Sequence, residues 1–238
     1  MELNKIYNQD CLAGMKELPD GCVDLIVTDP PYKITARGNA SESGGLFLKE
    51  RTLKGFVFEH NDIEIEDYID EFYRVLKDDA HCYIMTNNVN ICHFLDVISN
   101  SKFHFVKCLI WNKLNKVCGT YYMNQYEYII FIRKGKDKQI NDCGCSDIIS
   151  VPNKKTKDAD GRNIHDSEKP VELMKILITN STQKGEVVLD PFMGSGSTAI
   201  AALDSERNFI GFEIDSAYCE IANKRIDKCL NNAKQVLF

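Results

Sequence analysis

The sequence predicts an α/β domain built on a doubly wound sheet, and three observations support this fold class. Apolar runs of strand length alternate with segments of helical periodicity along most of the 238 residues. Two of the apolar runs end in turns that carry an acid, Asp29 and Asp190, at the sheet edge where such folds bind ligands. The hydrophobic fraction of 44% is ample for a core. We therefore expect one domain over residues 1–238 with about seven strands.

The predicted elements follow from composition and periodicity. The strands are short apolar runs rich in β-branched and aromatic residues, at 6–7, 23–27, 81–85, 103–111, 126–132, 187–189 and 209–211. The helices carry an apolar stripe at a spacing of three and four residues, at 11–18, 65–76, 89–99, 170–178, 198–203 and 216–230. Pro30 and Pro31 end the second strand, because proline donates no backbone hydrogen bond. Pro170 stands at the start of its helix, where proline is tolerated.

Two segments interrupt this alternation. Residues 33–60 are rich in Gly, Ser, Lys and Arg, and a loop of this length in a compact domain usually has a function. Since the loop directly follows the turn at Asp29, we expect it to cover a substrate. Residues 134–168 are polar, with little apolar periodicity apart from Ile148, Ile149 and Val151. We interpret this second segment as an insertion outside the core.

The turn Asp29-Pro30-Pro31-Tyr32 presents an acid and an aromatic ring on a stiff backbone at the carboxyl end of a strand. Such a turn suits an amino group on a flat ring: the Asp29 carboxylate and the Pro30 carbonyl can accept its two hydrogens. Tyr32 can stack on the face of the ring. An ordinary strand-ending turn explains the same four residues, so this turn alone does not decide the function.

A second turn, late in the chain, favours a nucleotide-like cofactor. Gly194, Gly196 and Ala199 match the G-x-G-x-x-A pattern between a strand and a helix. Glycines let the backbone approach a ligand, and a helix N-terminus favours an anionic group. Glu213, after the next strand, can hold two ribose hydroxyls. A nicotinamide oxidoreductase would explain this turn but would leave the turn at Asp29 without a role.

Taken together, the two turns resemble those of S-adenosylmethionine-dependent DNA amino-methyltransferases of the permuted β class. In that family D-P-P-Y comes first and F-x-G-x-G last, as do residues 29–32 and 192–196 here. A third family element, a histidine shortly before Glu-Lys-Pro and a helix, matches His165 and the run Glu168-Lys169-Pro170. The resemblance covers most of the chain, from residue 8 to about 226, and implies a Rossmann-like methyltransferase sheet.

The resemblance also implies residue roles. The catalytic residues would be Asp29, Pro30, Pro31 and Tyr32. The residues expected to bind S-adenosylmethionine are Asp10, Cys11, Asp29, Lys169, Asp190, Phe192, Gly194, Ser195, Gly196, Ser197, Thr198 and Glu213. Asp10 has a second explanation, because it could simply cap the helix that begins near Cys11. For Trp111 we favour core packing over a contact with the target base.

No metal site is expected. The ten cysteines include no C-x-x-C pair. A set made of Cys118, Cys143, Cys145 and His165 is the less favoured alternative. Without a secretion signal or an apolar run long enough to span a bilayer, we expect a cytoplasmic protein with reduced thiols and no membrane partner. The resemblance suggests a bacterial or phage origin.

The function implied by the resemblance is methylation of the N6 amino group of adenine in DNA, because Asp in the first motif position goes mostly with adenine in that family. Cytosine-N4 methylation and a non-catalytic, DNA-binding pseudo-methylase are the alternatives. Relatives that modify RNA or a protein glutamine usually show Asn first and lack the permuted order. Target recognition is expected in residues 134–164, and partly in the loop 33–60. The family also allows a homodimer and a cognate restriction endonuclease.

The charge distribution is compatible with a DNA partner despite a formal net charge of -6. Residues 59–79 carry nine acids and two bases, whereas residues 102–138 carry eight bases and two acids. A basic face could therefore touch phosphates. Charge alone does not distinguish this arrangement from two ordinary solvated faces.

Overall fold

The computed structural model describes residues 1–31, 63–117, 121–154 and 168–235. Its strands are β1 (Lys5–Tyr7), β2 (Val23–Thr28), β3 (Leu76–Thr86), β4 (His104–Val117), β5 (Asn124–Arg133), β6 (Ile148–Ser150), β7 (Val187–Asp190) and β8 (Asn208–Phe212). Its helices are α1 (Cys11–Lys16), α2 (Ile65–Val75), α3 (Ile91–Asn100), α4 (Val171–Ser181), α5 (Ser197–Asp204) and α6 (Ser216–Gln235). Pro170 lies immediately before α4 rather than in its first turn.

The described strands form one mixed sheet in the order β1-β8-β7-β2-β3-β5-β4-β6. The five strands from β1 to β3 in this order are parallel to their neighbours, whereas β5 is antiparallel to both β3 and β4. The α/β fold class is confirmed. The predicted strand count of seven was one too low, because the expected insertion supplies an eighth strand.

That eighth strand, β6, corrects the interpretation of residues 134–168 as lying wholly outside the core. Ile148 pairs with Ile110, and β6 runs parallel to β4 at the edge of the sheet. Val151 is buried and its carbonyl accepts a hydrogen bond of 2.9 Å from the Trp111 indole. Only three apolar residues, Ile148, Ile149 and Val151, mark this strand in the sequence, and three are too few to show a periodicity. Trp111 itself packs in the core, as expected.

Helices cover both faces of the sheet, as a doubly wound fold requires. Side chains alternate between the two faces along each strand, so Leu25 and Val27 pack in one cluster while Ile26 packs in the other. The first cluster contains the buried residues of α4, α5 and α6, and the second contains those of α1, α2 and α3. Within the described residues, no helix combines the length and the apolar run needed to cross a bilayer.

The topology brings the two sequence turns together. Strands β2 and β7 are parallel neighbours, with Ile26 opposite Leu189, so their carboxyl ends lie side by side. The Thr28 hydroxyl donates a 2.7 Å hydrogen bond to the Asp190 carboxylate across this boundary. Because β5 runs the other way, its amino end opens at the same edge of the sheet. This edge therefore carries the candidate site.

Candidate active site

Asp29 follows β2 directly and lies in a cluster of charged side chains. The Lys169 ammonium donates a hydrogen bond to Oδ2 of Asp29, and the Lys169 side chain is only 7% exposed. The other carboxylate oxygen, Oδ1, is buried and has no hydrogen-bond partner among the described residues. An orphan acceptor in a buried site is costly, so it marks a place where a hydrogen-bond donor would be stabilised.

Two residues that the sequence did not single out complete this cluster. Oε2 of Glu127, on β5, lies 3.7 Å from Nζ of Lys169. Nζ of Lys113, on β4, lies 2.5 Å from the other Glu127 oxygen. No local motif marks Glu127 or Lys113, because their roles depend on antiparallel pairing that brings distant residues together. The cluster thus alternates two carboxylates with two ammonium groups.

Burial and charge act differently on the two carboxylates. Burial raises the pKa of Asp29 above its usual value; the positive charge of Lys169 opposes this rise and the negative charge of Glu127 adds to it. Burial also opposes ionisation of Glu127, but Lys169 and Lys113 together outweigh it and lower the pKa of Glu127. The protonation state of Asp29 therefore depends on both neighbours.

The glycine turn after β7 has the conformation that the sequence pattern requires. Gly194 has φ of 53° and Gly196 has φ of 86°, a region that residues with side chains rarely adopt. A Cβ on Gly196 would lie 2.9 Å from Cβ of Ala222 in α6. Ser197 begins α5, and its buried hydroxyl has no partner in the part of the chain that the structure describes.

Glu213 closes one side of this turn. Its carboxylate accepts hydrogen bonds from the backbone N–H groups of Gly194, at 2.7 Å, and Asp215, at 2.9 Å. A carboxylate is an acceptor of the kind that hydroxyl donors require, and it offers about four acceptor positions. The Asn8 side chain donates to the Glu213 carbonyl at 2.8 Å and joins the loop after β1 to the end of β8.

Asp10 and Cys11 lie at the start of α1, beside this loop. Oδ1 of Asp10 accepts a 2.9 Å hydrogen bond from the N–H of Ala13, so the capping role is confirmed. The capping bond uses one of its oxygens, and a contact with a cofactor stays a prediction. Cys11 is buried, and burial raises the pKa of its thiol to about 12. The Cys11 thiol is therefore neutral and packs in the core, and its expected contact with the cofactor stays a prediction.

Asp190 is held by three donors within the protein. Its carboxylate accepts hydrogen bonds from the hydroxyls of Thr28 and Thr198, at 2.7 and 2.6 Å, and from the N–H of Phe192, at 3.1 Å. Burial raises its pKa to about 6, while the two hydroxyl bonds oppose the rise. The hydrogen bonds of Asp190 thus link β2, β7 and α5. The Phe192 ring packs edge-on against Tyr68, with 5.3 Å between centroids.

Replacing Thr198 by valine is expected to lower the free energy of unfolding by about 1.5–3 kcal/mol, because the buried Asp190 carboxylate loses a donor. Urea unfolding measures this change. Thr179→Val is the matched control, since the Thr179 hydroxyl donates to carbonyls of its own helix and not to a carboxylate among the described residues. Equal stability losses in the two variants would contradict the role given to Asp190.

The third family element is joined to the glycine turn by a residue that the sequence did not indicate. Oε1 of Glu168 lies 2.7 Å from the guanidinium of Arg225, on α6. The same guanidinium donates to the carbonyl and hydroxyl of Ser195, at 2.6 and 2.9 Å. The next residue, Lys169, pairs with Asp29, and its expected contact with the cofactor stays a prediction.

Several predicted residues lie outside the described ranges. They include Tyr32, His165, the loop 33–60 and residues 155–164 of the expected recognition segment. Cys118, of the alternative metal set, also lies outside them. Cys143 and Cys145 are exposed, and the described residues contain no cluster of three or more metal-binding side chains.

Comparison with known proteins finds that the chain is similar to DNA methylases. The sequence profile of the N6_N4_Mtase family, described as DNA methylase, matches residues 23–224. The type II methyltransferase M.HinfI of Haemophilus influenzae is 29% identical over 98% of this chain and 71% of its own.

Two solved structures are similar to the described fold. The M1.HpyAVI–SAM complex is 25% identical, with a TM-score of 0.69 over 93% of this chain and 98% of the other. The cytosine-N4-specific PvuII DNA methyltransferase has the same TM-score, 0.69, at 16% identity, and covers 95% of this chain and 90% of its own. The likeness to PvuII is one of fold alone.

Proposed function

Since the chain belongs to the N6/N4 DNA methylase family, we propose that it transfers the methyl group of S-adenosylmethionine to the N6 amino nitrogen of adenine in DNA. DNA methylation at adenine N6 or cytosine N4 with this cofactor is the activity of the family; adenine is our assignment. One observation carries the proposal. Asp29 and the glycine turn meet at the ends of the parallel neighbours β2 and β7, joined by the bond from Thr28 to Asp190.

The glycine turn fits a cofactor of this kind. A side chain on Gly196 would fill the space beside Ala222, and the buried Ser197 hydroxyl is available to a polar ligand group. The N-terminus of α5 favours the carboxylate of the methionine part, and the Glu213 carboxylate beside the turn is the kind of acceptor that ribose hydroxyls require. When bound, S-adenosylmethionine supplies an electrophilic methyl group on a positively charged sulfur.

Asp29 acts on the nucleophile. The target amino nitrogen is a weak nucleophile because its lone pair is delocalised into the ring. Oδ1 of Asp29, the buried acceptor, would take a hydrogen bond from this amino group and draw the lone pair back onto nitrogen. The same oxygen can accept the proton that the nitrogen must lose. Lys169 holds the other oxygen and fixes the orientation of the carboxylate. Catalysis is then mainly positioning and electrostatics.

The target base must leave the double helix to reach Asp29. The carboxylate lies in a largely buried cluster at the sheet edge, and a stacked base cannot enter it. Enzymes that modify the base itself solve this by flipping the nucleotide out, at a cost of a few kcal/mol. Pro30 is buried and Pro31 is partly exposed. We propose that the rigid backbone of this turn contacts the flipped base.

The choice of adenine rests on Asp29 at the first position of the motif. Adenine N6 and cytosine N4 are both exocyclic amino groups beside a ring nitrogen, so the same carboxylate could serve either one. The cytosine-N4-specific relative has the same overall fold, and cytosine is therefore the second candidate.

One assay tests both the reaction and the base. The protein is incubated with methyl-labelled S-adenosylmethionine and mixed-sequence DNA, single- and double-stranded, and the DNA is digested to nucleosides. Label in N6-methyladenosine is the expected result. Label in N4-methylcytosine would keep the mechanism and overturn the assignment of adenine. Bound cofactor without label in either DNA would contradict the proposed substrate.

The partners follow from this proposal. The name of M.HinfI, a type II methyltransferase, supports a cognate restriction endonuclease that acts on the same DNA site. A homodimer stays a prediction, which sedimentation of the purified protein would test. Target recognition by residues 134–164 also stays a prediction, although β6 makes part of this segment an edge of the sheet.

Removing either neighbour of Asp29 is expected to move the acidic limb of the pH–kcat profile, in opposite directions. Asp29 must be ionised to accept the amino hydrogen, so the rate falls as the pH drops through its pKa. Lys169→Met removes the cation that lowers this pKa. As the pH is lowered, this variant should therefore lose activity at a higher pH than the wild type does. Glu127→Gln removes the charge that raises it, so activity persists to a lower pH.

The control is Lys184→Met, which breaks an exposed pair with Glu206 and should leave the profile unchanged. Shifts of the same sign for the Lys169 and Glu127 variants would contradict ionisation of Asp29 as the cause of the acidic limb. Because both variants alter one charge in the same cluster, a general loss of structure would not produce opposite shifts.

A further inference from the structure

We propose that the exposed end of the β4–β5 hairpin, residues Tyr121, Tyr122 and Met123, contacts duplex DNA and fills the space that the flipped base leaves. This inference rests on the proposed function, because it gives the hairpin a part in bringing the base to Asp29. The partner is double-stranded DNA, and the interaction is insertion of flat or flexible apolar side chains into the base stack.

The hairpin starts from the catalytic cluster. Lys113 on β4 and Glu127 on β5 pair with each other, and Glu127 also faces Lys169, which holds Asp29. From there both strands continue beyond the predicted ends, β4 to Val117 and β5 back to Asn124. Tyr122 precedes Glu127 by five residues, about 17 Å along an extended chain. This length is the farthest that Tyr122 can lie from Glu127.

The side chains at this end of the hairpin are unusually exposed for their type. Tyr121 is 93% exposed, Tyr122 is 90% exposed and Met123 is 56% exposed. Leu114, on the opposite strand, is 55% exposed and adds to the apolar surface. Clustered exposed apolar side chains usually mark an interaction site. Aromatic rings stack on bases with about 1–3 kcal/mol per base, and Met can act as a wedge between base steps.

The surrounding residues suit a phosphate backbone. Apart from the paired Lys113 and Glu127, the described residues between 112 and 126 include the base Lys116 and no acid. The Asn115 amide lies on the same hairpin, and a side-chain amide is a donor of the kind that contacts phosphates and base edges. The local charge is therefore positive, although the whole chain is acidic.

A second copy of the chain is a less suitable partner for this surface. The patch is the narrow end of one hairpin, whereas a stable protein–protein interface uses about 20–30 residues on each side. Insertion into the base stack needs only two or three side chains. The small size of the patch and its place on the hairpin that carries Lys113 and Glu127 both favour DNA.

The inference predicts a defect that depends on base pairing. Flipping costs a few kcal/mol only when the target base is paired and stacked. Side chains that occupy the vacated space offset this cost, so they matter for a duplex and not for a single strand. Removing these side chains should lower methylation of duplex DNA and leave methylation of single-stranded DNA unchanged. Damage to the catalytic site would lower both.

The test compares methylation of the same DNA sequence as duplex and as single strand. For Tyr121→Ala/Tyr122→Ala we expect kcat/KM on duplex to fall about 10- to 100-fold, as loss of stacking implies. The value on single-stranded DNA should stay within about twofold of the wild type, since no stacked pair has to be opened. Tyr121→Phe/Tyr122→Phe keeps the rings and should keep duplex activity. Phe105→Ala is the control, because Phe105 is 50% exposed at the other end of β4.

Three results with the double alanine variant would overturn the inference. They are an unchanged duplex rate in the double alanine variant, an equal loss on both substrates, and a change in oligomeric state on sedimentation, which would assign the patch to a second copy. A wild-type protein that labels single strands only would also overturn it while leaving the proposed reaction intact. A wild-type protein that labels neither substrate would reject the proposed function, and this inference with it.

Discussion

Alanine in place of Asp29 is expected to abolish methyl transfer to DNA while leaving the affinity for S-adenosylmethionine nearly unchanged. The variant removes the buried acceptor Oδ1 for the target amino group. Loss of one preorganised catalytic hydrogen bond typically lowers kcat about 10²–10³-fold. Here the same oxygen also receives a proton, so we expect a loss at or above the upper end of that range. Label transfer under single-turnover conditions measures kcat, and calorimetry measures cofactor binding.

Asp24→Ala is the matched control. Asp24 lies on β2, the strand that leads to Asp29, and is buried. It pairs with Lys77 at 2.7 Å and accepts the Val187 N–H at 2.9 Å. Its removal should lower stability, yet each folded molecule should retain its transfer rate. Substantial turnover in the Asp29 variant would reject the catalytic assignment. A parallel loss of cofactor affinity would show that Asp29 organises the cofactor site instead.

The two turns at the centre of the site were predictable because each is encoded locally. Pro30 and Pro31 must end a strand, and Gly194 and Gly196 supply positive φ angles at a strand–helix junction. The parallel α/β pattern then requires both strand ends to lie on one edge of the sheet. Their direct contact, through Thr28 and Asp190, follows from β2 and β7 being neighbours, which the sequence did not specify.

The residues that the sequence missed depend on long-range pairing. Glu127 reaches Lys169 only because β5 is antiparallel to β3, and a run of alternating residues cannot reveal its partner strand. Arg225 meets Glu168 and Ser195 across a long separation in sequence. Strand β6 was missed for another reason, since three residues at a sheet edge carry almost no pattern.

Gly196→Ala is expected to weaken binding of S-adenosylmethionine by at least tenfold, and Gly196→Asp to reduce it below detection by calorimetry. Two effects add at this position. An alanine with φ near 86° strains the backbone by about 1–2 kcal/mol, and its Cβ would lie 2.9 Å from Cβ of Ala222. Relief of this contact requires a shift of the turn or of α6, either of which moves the backbone that would meet the cofactor.

Gly185→Ala is the control that introduces the same backbone strain without a steric clash. Gly185 has φ of 83°, almost the same as Gly196, but a Cβ there would meet no atom within 4 Å. This variant should lose about 1–2 kcal/mol of unfolding free energy and keep its cofactor affinity. If both variants bound the cofactor equally well, the glycine turn would not be the binding site. If both lost affinity in proportion to stability, the effect would belong to folding. A loss confined to Gly196 would assign the cofactor to the turn after β7.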